Sequence, residues 1–180
     1  MRKIAVVILI AIVPIVGFSQ SIFDKYEHME NVGSVIVNKG MIDLVSTIGE
    51  MSDDADAQEF IEVAQGLQGV KVFMTEDVGI SEEMSKTVKS YLKSSKMEEL
   101  MRIKDADVNV KFYVRDGAKK DHVSELLMFV SGLENIEMGV HGKKMETVLV
   151  SLVGDIDLNK IGALTSKMDL PKELNKAGGK

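Results

Sequence analysis

One short segment constrains the architecture of this chain more than any other. Val108, Val110, Phe112 and Val114 alternate with Asn109, Lys111 and Tyr113. Successive side chains of a strand point to opposite faces, so the alternation predicts a strand over 108–114 with one apolar face. An isolated strand is not stable in water, so the fold must hold a sheet with something packed on it. Asp116-Gly117 then signals a turn. Val123–Val130 suits a strand buried on both faces, and its Val123, Leu126, Leu127 and Val130 also suit one helical stripe. The expectation is an antiparallel hairpin of 108–114 with 123–130.

Around that hairpin the chain switches between strand and helix patterns. Ser21–Asn31 reads as a short amphipathic helix or ordered lead-in, and Val32–Asn38 as a strand. Lys39–Glu50 places Met41, Leu44, Val45 and Ile48 at helical spacing. Asp56 and Glu59 form a capping box opening a helix through Phe60, Ile61, Ala64 and Leu67, with Gly66 and Gly69 at its end. Val70–Thr75 is a second strand. Ser81 is read as the cap of a helix carrying Met84, Val88, Tyr91 and Leu92. Ser95–Glu98 reads as another capping box, opening a short helix with Met97, Leu100 and Met101 inside. Ile136, Met138 and Val140 alternate weakly, Gly142-Lys143 turns into a strand over Met145–Val153, and Leu158, Ile161, Leu164 and Met168 line a last helix ended by Pro171.

This order predicts a single α+β domain over 20–170, followed by a polar tail over 171–180. Its sheet is mainly antiparallel, of about five strands, with helices on one or both faces. A ferredoxin-like or internally duplicated arrangement is compatible with that order. Ser34–Val37 before Gly40-Met41-Ile42-Asp43-Leu44 echoes Thr147–Val150 before Gly154-Asp155-Ile156-Asp157-Leu158, although so short a match is expected by chance.

The first residues point to export. Met1-Arg2-Lys3 is cationic, Ile4–Phe18 is apolar, and Gly17 and Ser19 are small residues ahead of Gln20. That is the order of a signal peptide over 1–19, cut near Ser19, and the run is shorter than the ~20 residues a membrane-spanning helix needs. The expected location is periplasmic or extracellular, with no transmembrane segment in the mature chain. The chain has no cysteine, so packing rather than disulfides must hold the core. Removing Arg2 and Lys3 takes the formal charge from −6 to −8, because residues 1–19 contain no acid. Such an acidic chain gains nothing from a phosphate backbone, so no nucleic acid is expected as partner.

Candidate site residues are few. Glu125 interrupts an apolar run and needs a partner or a cleft, since an isolated buried charge is costly. In a regular strand it would share a face with Val123, Leu127 and Phe129. His122, Ser124 and Asp121 invite a hydrolase reading, but the sequence lacks a Gly-x-Ser-x-Gly elbow. The methionines, numbering 12, with His28, His122 and His141 raise a copper site, yet only Met97 and Met101 have paired helical spacing and core filling explains them better. Asp53, Asp54, Asp56 and Glu59 lack the spacing of a calcium loop. No catalytic, metal or cofactor set is assigned. Lys86, Lys89, Lys93 and Lys96 fall on one helical face and form a candidate interaction face for anionic lipid or an acidic partner.

Met97-Glu98-Glu99-Leu100-Met101, Val123-Ser124-Glu125-Leu126-Leu127 and Gly154-Asp155-Ile156-Asp157-Leu158 carry a resemblance. Over about Phe23–Met168 the chain resembles exported Gram-negative bacterial proteins grouped as domain of unknown function 4252. The resemblance implies an exported α+β domain and brings no catalytic residues with it. It also implies that the Ser-Glu-Leu segment is a strand after a hairpin. Some relatives resemble lipoproteins, from which this cysteine-free chain departs. Two classes of function follow: a non-catalytic exported domain that binds a protein or the envelope surface, and, as the alternative, an exported hydrolase whose site only the fold assembles.

Overall fold

Strands and helices follow the patterns of the sequence closely enough to show where neighbours overrule them. A computed structural model describes residues 21–50, 55–133 and 145–160. Its strands are β1 (Val32–Asn38), β2 (Leu67–Thr75), β3 (Glu98–Asp105), β4 (Val108–Asp116), β5 (His122–Ser131) and β6 (Thr147–Asp157). They form one sheet in the order β1-β2-β6-β5-β4-β3, and every neighbouring pair is antiparallel. The helices are α1 (Lys39–Gly49), α2 (Ala55–Gly66) and α3 (Val78–Ser95), preceded by a 3₁₀ segment at Ser21–His28.

The sheet has an apolar cluster on each side. On one, Phe73, Leu127, Phe129 and Leu149 meet Phe23 and Tyr26 of the 3₁₀ segment and Met84, Val88 and Tyr91 of α3. On the other, Val110, Phe112, Val114, Leu126, Met128, Val130 and Val150 join Ile42 of α1 and Ala64 of α2. β5 therefore buries both faces from Glu125 to Val130, which is why its apolar run shows no alternation. The expected hairpin is present: Val110 pairs with Val130, Phe112 with Met128 and Val114 with Leu126.

The 3₁₀ segment is tied down by side chains distant in sequence. Tyr26 donates to the Thr87 hydroxyl at 2.8 Å, and Lys25 reaches Glu83 at 2.7 Å. Lys71 pairs with Asp24 and, at 2.9 Å, with Glu27. Burial pulls the Lys71 ammonium toward a lower pKa, but hydrogen bonds to Asp24 and Glu27 more than offset it, so the pKa is raised overall.

Four expectations are corrected. The segment expected to form a short helix at Met97–Met101 is instead β3, which raises the strand count from about five to six. Lys96 adopts the left-handed conformation at φ 53°, ending α3, and the extended chain that follows completes the free edge of β4. Met97 and Met101, four residues apart, would share a face in a regular strand, but the bulge between Glu99 and Met101 sends them to opposite clusters. α3 begins earlier than expected: Asp77, not Ser81, caps it, its carboxylate accepting from the Ile80 amide at 3.0 Å. Leu67 opens β2 rather than closing α2. Finally, Met41, Leu44, Val45 and Ile48 of α1 do not face the core; they are between 45% and 63% exposed, while Ile42 and Ser46 are buried.

The echo between 40–44 and 154–158 also separates. Gly40–Leu44 lies in α1, whereas Gly154–Asp157 continues β6 and only Leu158–Lys160 turns, as 3₁₀. Gly154 sits at φ 155° beside a register shift between β2 and β6. A Cβ there would stand 2.2 Å from the Gly66 carbonyl oxygen, and one on Gly66 would stand 2.3 Å from the Asp155 carbonyl oxygen. Two bare backbones thus meet where α2 runs directly into β2. The side chains of Asp56 and Glu59, and the expectations for 1–20, 51–54, 134–144 and 161–180, lie outside the described residues.

Gly154→Ala is expected to destabilise the fold by about 1–3 kcal/mol, through backbone strain and the clash with Gly66. Gly40→Ala, whose Cβ meets nothing closer than 3.5 Å, is expected to leave stability unchanged or raise it slightly. Denaturant unfolding of both variants checks the contrast.

Candidate functional site

The most chemically distinctive group of side chains lies where α3 crosses the end of β5. Glu125 is 1% exposed. Tyr91 donates its hydroxyl to both carboxylate oxygens, at 2.9 and 2.7 Å. Arg115, directly across the ladder on β4, lies 2.9 Å from the same carboxylate and donates to the Tyr91 hydroxyl at 2.7 Å. The arrangement is a closed triangle of carboxylate, phenol and guanidinium. Each oxygen of Glu125 already accepts a strong hydrogen bond, which suits a structural anchor. The Arg115 Nε is buried without a hydrogen-bond partner, so the guanidinium is held by one end only.

Sequence reasoning singled out Glu125 but missed Tyr91 and Arg115. Tyr91 reads as one more apolar position on a helix stripe. Arg115 was recoverable: once Val114 is set against Leu126, the next pair on the ladder is Arg115 and Glu125. The neighbours of Glu125 also differ from those of a regular strand. The register shifts between Val123 and Glu125, placing a bulge at Ser124. Val123 consequently packs on the α1–α2 side, opposite Leu127 and Phe129.

His122, Ser124 and Asp121 do not assemble into a catalytic set. Ser124 donates to the carbonyl oxygens of Asp116, at 3.0 Å, and Arg115, at 3.3 Å. His122 Nδ1 instead lies 2.7 Å from Asp155, which Lys119 also contacts at 2.6 Å. This group is exposed at the hairpin's turn. The hydrogen bond from Lys119, then the one from His122, holds the Asp155 carboxyl below the usual aspartate range.

At the other end of the sheet an open cleft of about 650 Å³ is lined by Asn31, Gly33, Met74, Glu76, Asp77 and Met145. Its polar groups serve the fold: Asp77 caps α3, and the Thr75 hydroxyl donates to the Asn31 carbonyl and accepts from the Asp77 amide. Nearby, Ser81 of α3 meets Thr147 of β6 at 2.6 Å between buried hydroxyls.

Between these two ends α3 shows its other side to solvent. Lys86, Lys89, Lys93 and Lys96 are all exposed. At 100° per residue Lys86, Lys89 and Lys93 lie broadly opposite Met84, Val88 and Tyr91. Lys86 makes a loose pair with Glu82, at 3.6 Å. Lys96, in its left-handed conformation, extends the face past the helix end. Among the described residues, no helix is long and apolar enough to cross a membrane.

A family model described as Domain of unknown function (DUF4252) matches residues 26–164. No curated protein and no solved structure matches the chain.

Two outcomes follow from these geometries. Glu125→Ala strands Arg115 and frees the Tyr91 hydroxyl, so it is expected to cost about 3 kcal/mol or more. The paired change Glu125→Leu with Arg115→Met is expected to recover much of that loss, and thermal unfolding of the two reads the difference. For Asp155, a depressed native pKa means a contribution to stability present above the unfolded value of about 3.9. That contribution is lost as pH falls through the lower native value. Carboxyl NMR titration is expected to show Asp155 below the ordinary aspartate range, and Lys119→Met is expected to bring it back toward that range.

Proposed function

We propose a function from the premise that this chain belongs to the family described as Domain of unknown function (DUF4252). It is an exported, non-catalytic binding domain, released from its leader near Ser19, that docks on an anionic envelope surface through α3. The observation that carries this reading is the lysine face. Lys86, Lys89, Lys93 and Lys96 stand exposed on a helix whose opposite side is locked into the core. In a chain of formal charge −6, such a face concentrates positive potential on one rigid element. A lysine ammonium also pairs well with headgroup phosphates as a mobile point charge. The cationic and apolar start of the sequence supports export. Glu125, the one buried acid among the described residues, is occupied by Tyr91 and Arg115, which supports binding over hydrolysis.

The test is replacement of all four lysines by glutamine. Stability should change little, since each exposed substitution shifts it by no more than about 0.5 kcal/mol. Co-sedimentation with vesicles containing anionic lipid should fall to the level seen with zwitterionic vesicles, and wild-type binding should weaken as salt rises. Equal binding by the two proteins at low salt would overturn the assignment of this face.

A further inference from the structure

The two edges of the sheet are built differently. β3, at one edge, carries Glu98, Glu99, Arg102, Lys104 and Asp105 and is bulged between Glu99 and Met101. Charges and a bulge are the usual means of preventing a free strand from pairing with another chain. β1, at the other edge, reads Val-Gly-Ser-Val-Ile-Val-Asn, with no charge and no proline, and its register against β2 is unbroken. Val35 and Ile36 are 49% and 43% exposed, one on each face.

α1 reinforces this edge. Its apolar side chains, from Leu44 round to Ile42, span an arc of roughly 160° at 100° per residue, but only the part around Ile42, Ser46 and Gly49 is covered. α2 lies on the polar side of α1: Lys39 reaches the Gln65 carbonyl at 3.3 Å, Gln65 donates to Glu50 at 2.8 Å, and Gly49 abuts Ile61. Met41, Leu44, Val45 and Ile48 therefore turn away from α2. Since α1 rests on β1 and β2 while α2 rests on β6, that side overhangs β1, which among the described residues pairs with no strand other than β2.

We propose that this edge is a self-association surface, on which two copies pair β1 with β1 in antiparallel register about a two-fold axis through Val35. The surface is self-complementary in the way such an axis demands. Centring on Val35 is the one register that uses the whole strand, setting Val32 against Asn38, Gly33 against Val37 and Ser34 against Ile36 of the second copy. Every one of those pairs is uncharged. Residues opposite one another on an antiparallel ladder share a face, so both α1 helices come to the same side of the seam with their apolar stripes turned inward. Charge favours the same arrangement. Copies of a chain at −6 repel one another, and this ledge is where they approach without like charges meeting, because Lys39 and Asp43 neutralise each other within α1 at 2.7 Å. A second copy suits this surface better than an anionic membrane, since among the described residues no lysine row flanks the α1 stripe.

The test uses the exported form of the chain. Sedimentation velocity over a concentration series should show a monomer–dimer equilibrium. Val35→Lys with Leu44→Lys, both at exposed positions, should weaken it by roughly tenfold or more while leaving the melting temperature near that of the wild type. Because the chain has no cysteine, a single Val35→Cys should form a disulfide-linked dimer under mild oxidation, whereas Thr47→Cys, on the polar side of α1, should not. The cysteine experiment decides the matter if the lysine pair fails to fold. A monomer at every concentration, a dimer indifferent to the lysine pair, or equal cross-linking from positions 35 and 47 would overturn the proposal. So would a monomeric wild type that binds zwitterionic vesicles and loses that binding with Leu44→Lys, which would make the stripe a membrane contact.

Discussion

The buried carboxylate of Glu125 is the constraint from which much of this structure follows. Apolar contacts tolerate sliding, because their energy depends on area rather than direction. Hydrogen bonds to a buried charge do not, and Tyr91 and Arg115 must both reach Glu125 at bonding distance. The contact fixes the last turns of α3 against β5, and the Ser81–Thr147 contact fixes its first turn against β6. Between these two pins the helix has one rotational setting. Met84 and Val88 are then directed inward and the lysines outward. The outward setting of the lysine row thus depends on a buried contact on the opposite side of the helix.

How far the sequence revealed this varies with how local each cause is. The alternation over 108–114, the β-branched run of β1 and the stripe of α3 come from neighbouring residues, and each segment takes the structure its pattern predicts, with α3 starting earlier than its expected cap. β3 was not legible, because Glu98-Glu99-Leu100-Met101 has good helix formers and an apparent cap in Ser95. Its conformation is set by the left-handed Lys96 and by the vacant edge of β4, a partner at a distance. The site divides in the same way. Glu125 stood out by being charged within an apolar run, but the bulge at Ser124 that reverses its neighbours is a property of two ladders at once. In α1, spacing showed which residues share an arc and was silent on which part of that arc another element would cover.

The two sheet faces also differ in the way they hold their helices. On the α3 side, apolar contact is supplemented by long-range polar ties: Lys25 to Glu83, Tyr26 to Thr87, and Lys71 to Asp24 and Glu27. On the α1–α2 side, the closest fit comes from missing side chains, at Gly49 against Ile61 and at Gly66 against Asp155. Directional bonds tolerate small changes in side-chain volume, whereas a bare-backbone contact tolerates none.

The position of the last strand has a consequence for the order of assembly. β6 is final in the chain but third in the sheet, between β2 and β5. The β1–β2 pair and the β3–β4–β5 meander share no ladder without it. A chain emerging from its N-terminus can form each part early, but it cannot join them until Thr147–Asp157 arrives. The β2–β6 ladder that joins the two parts is therefore the most distant in sequence of the sheet, and distant pairings are slow to form. The N-terminal aromatics wait as well, since Phe23 and Tyr26 are sealed by Tyr91, Phe73 and Thr87. Topology alone delays completion of this fold until its last strand has been delivered.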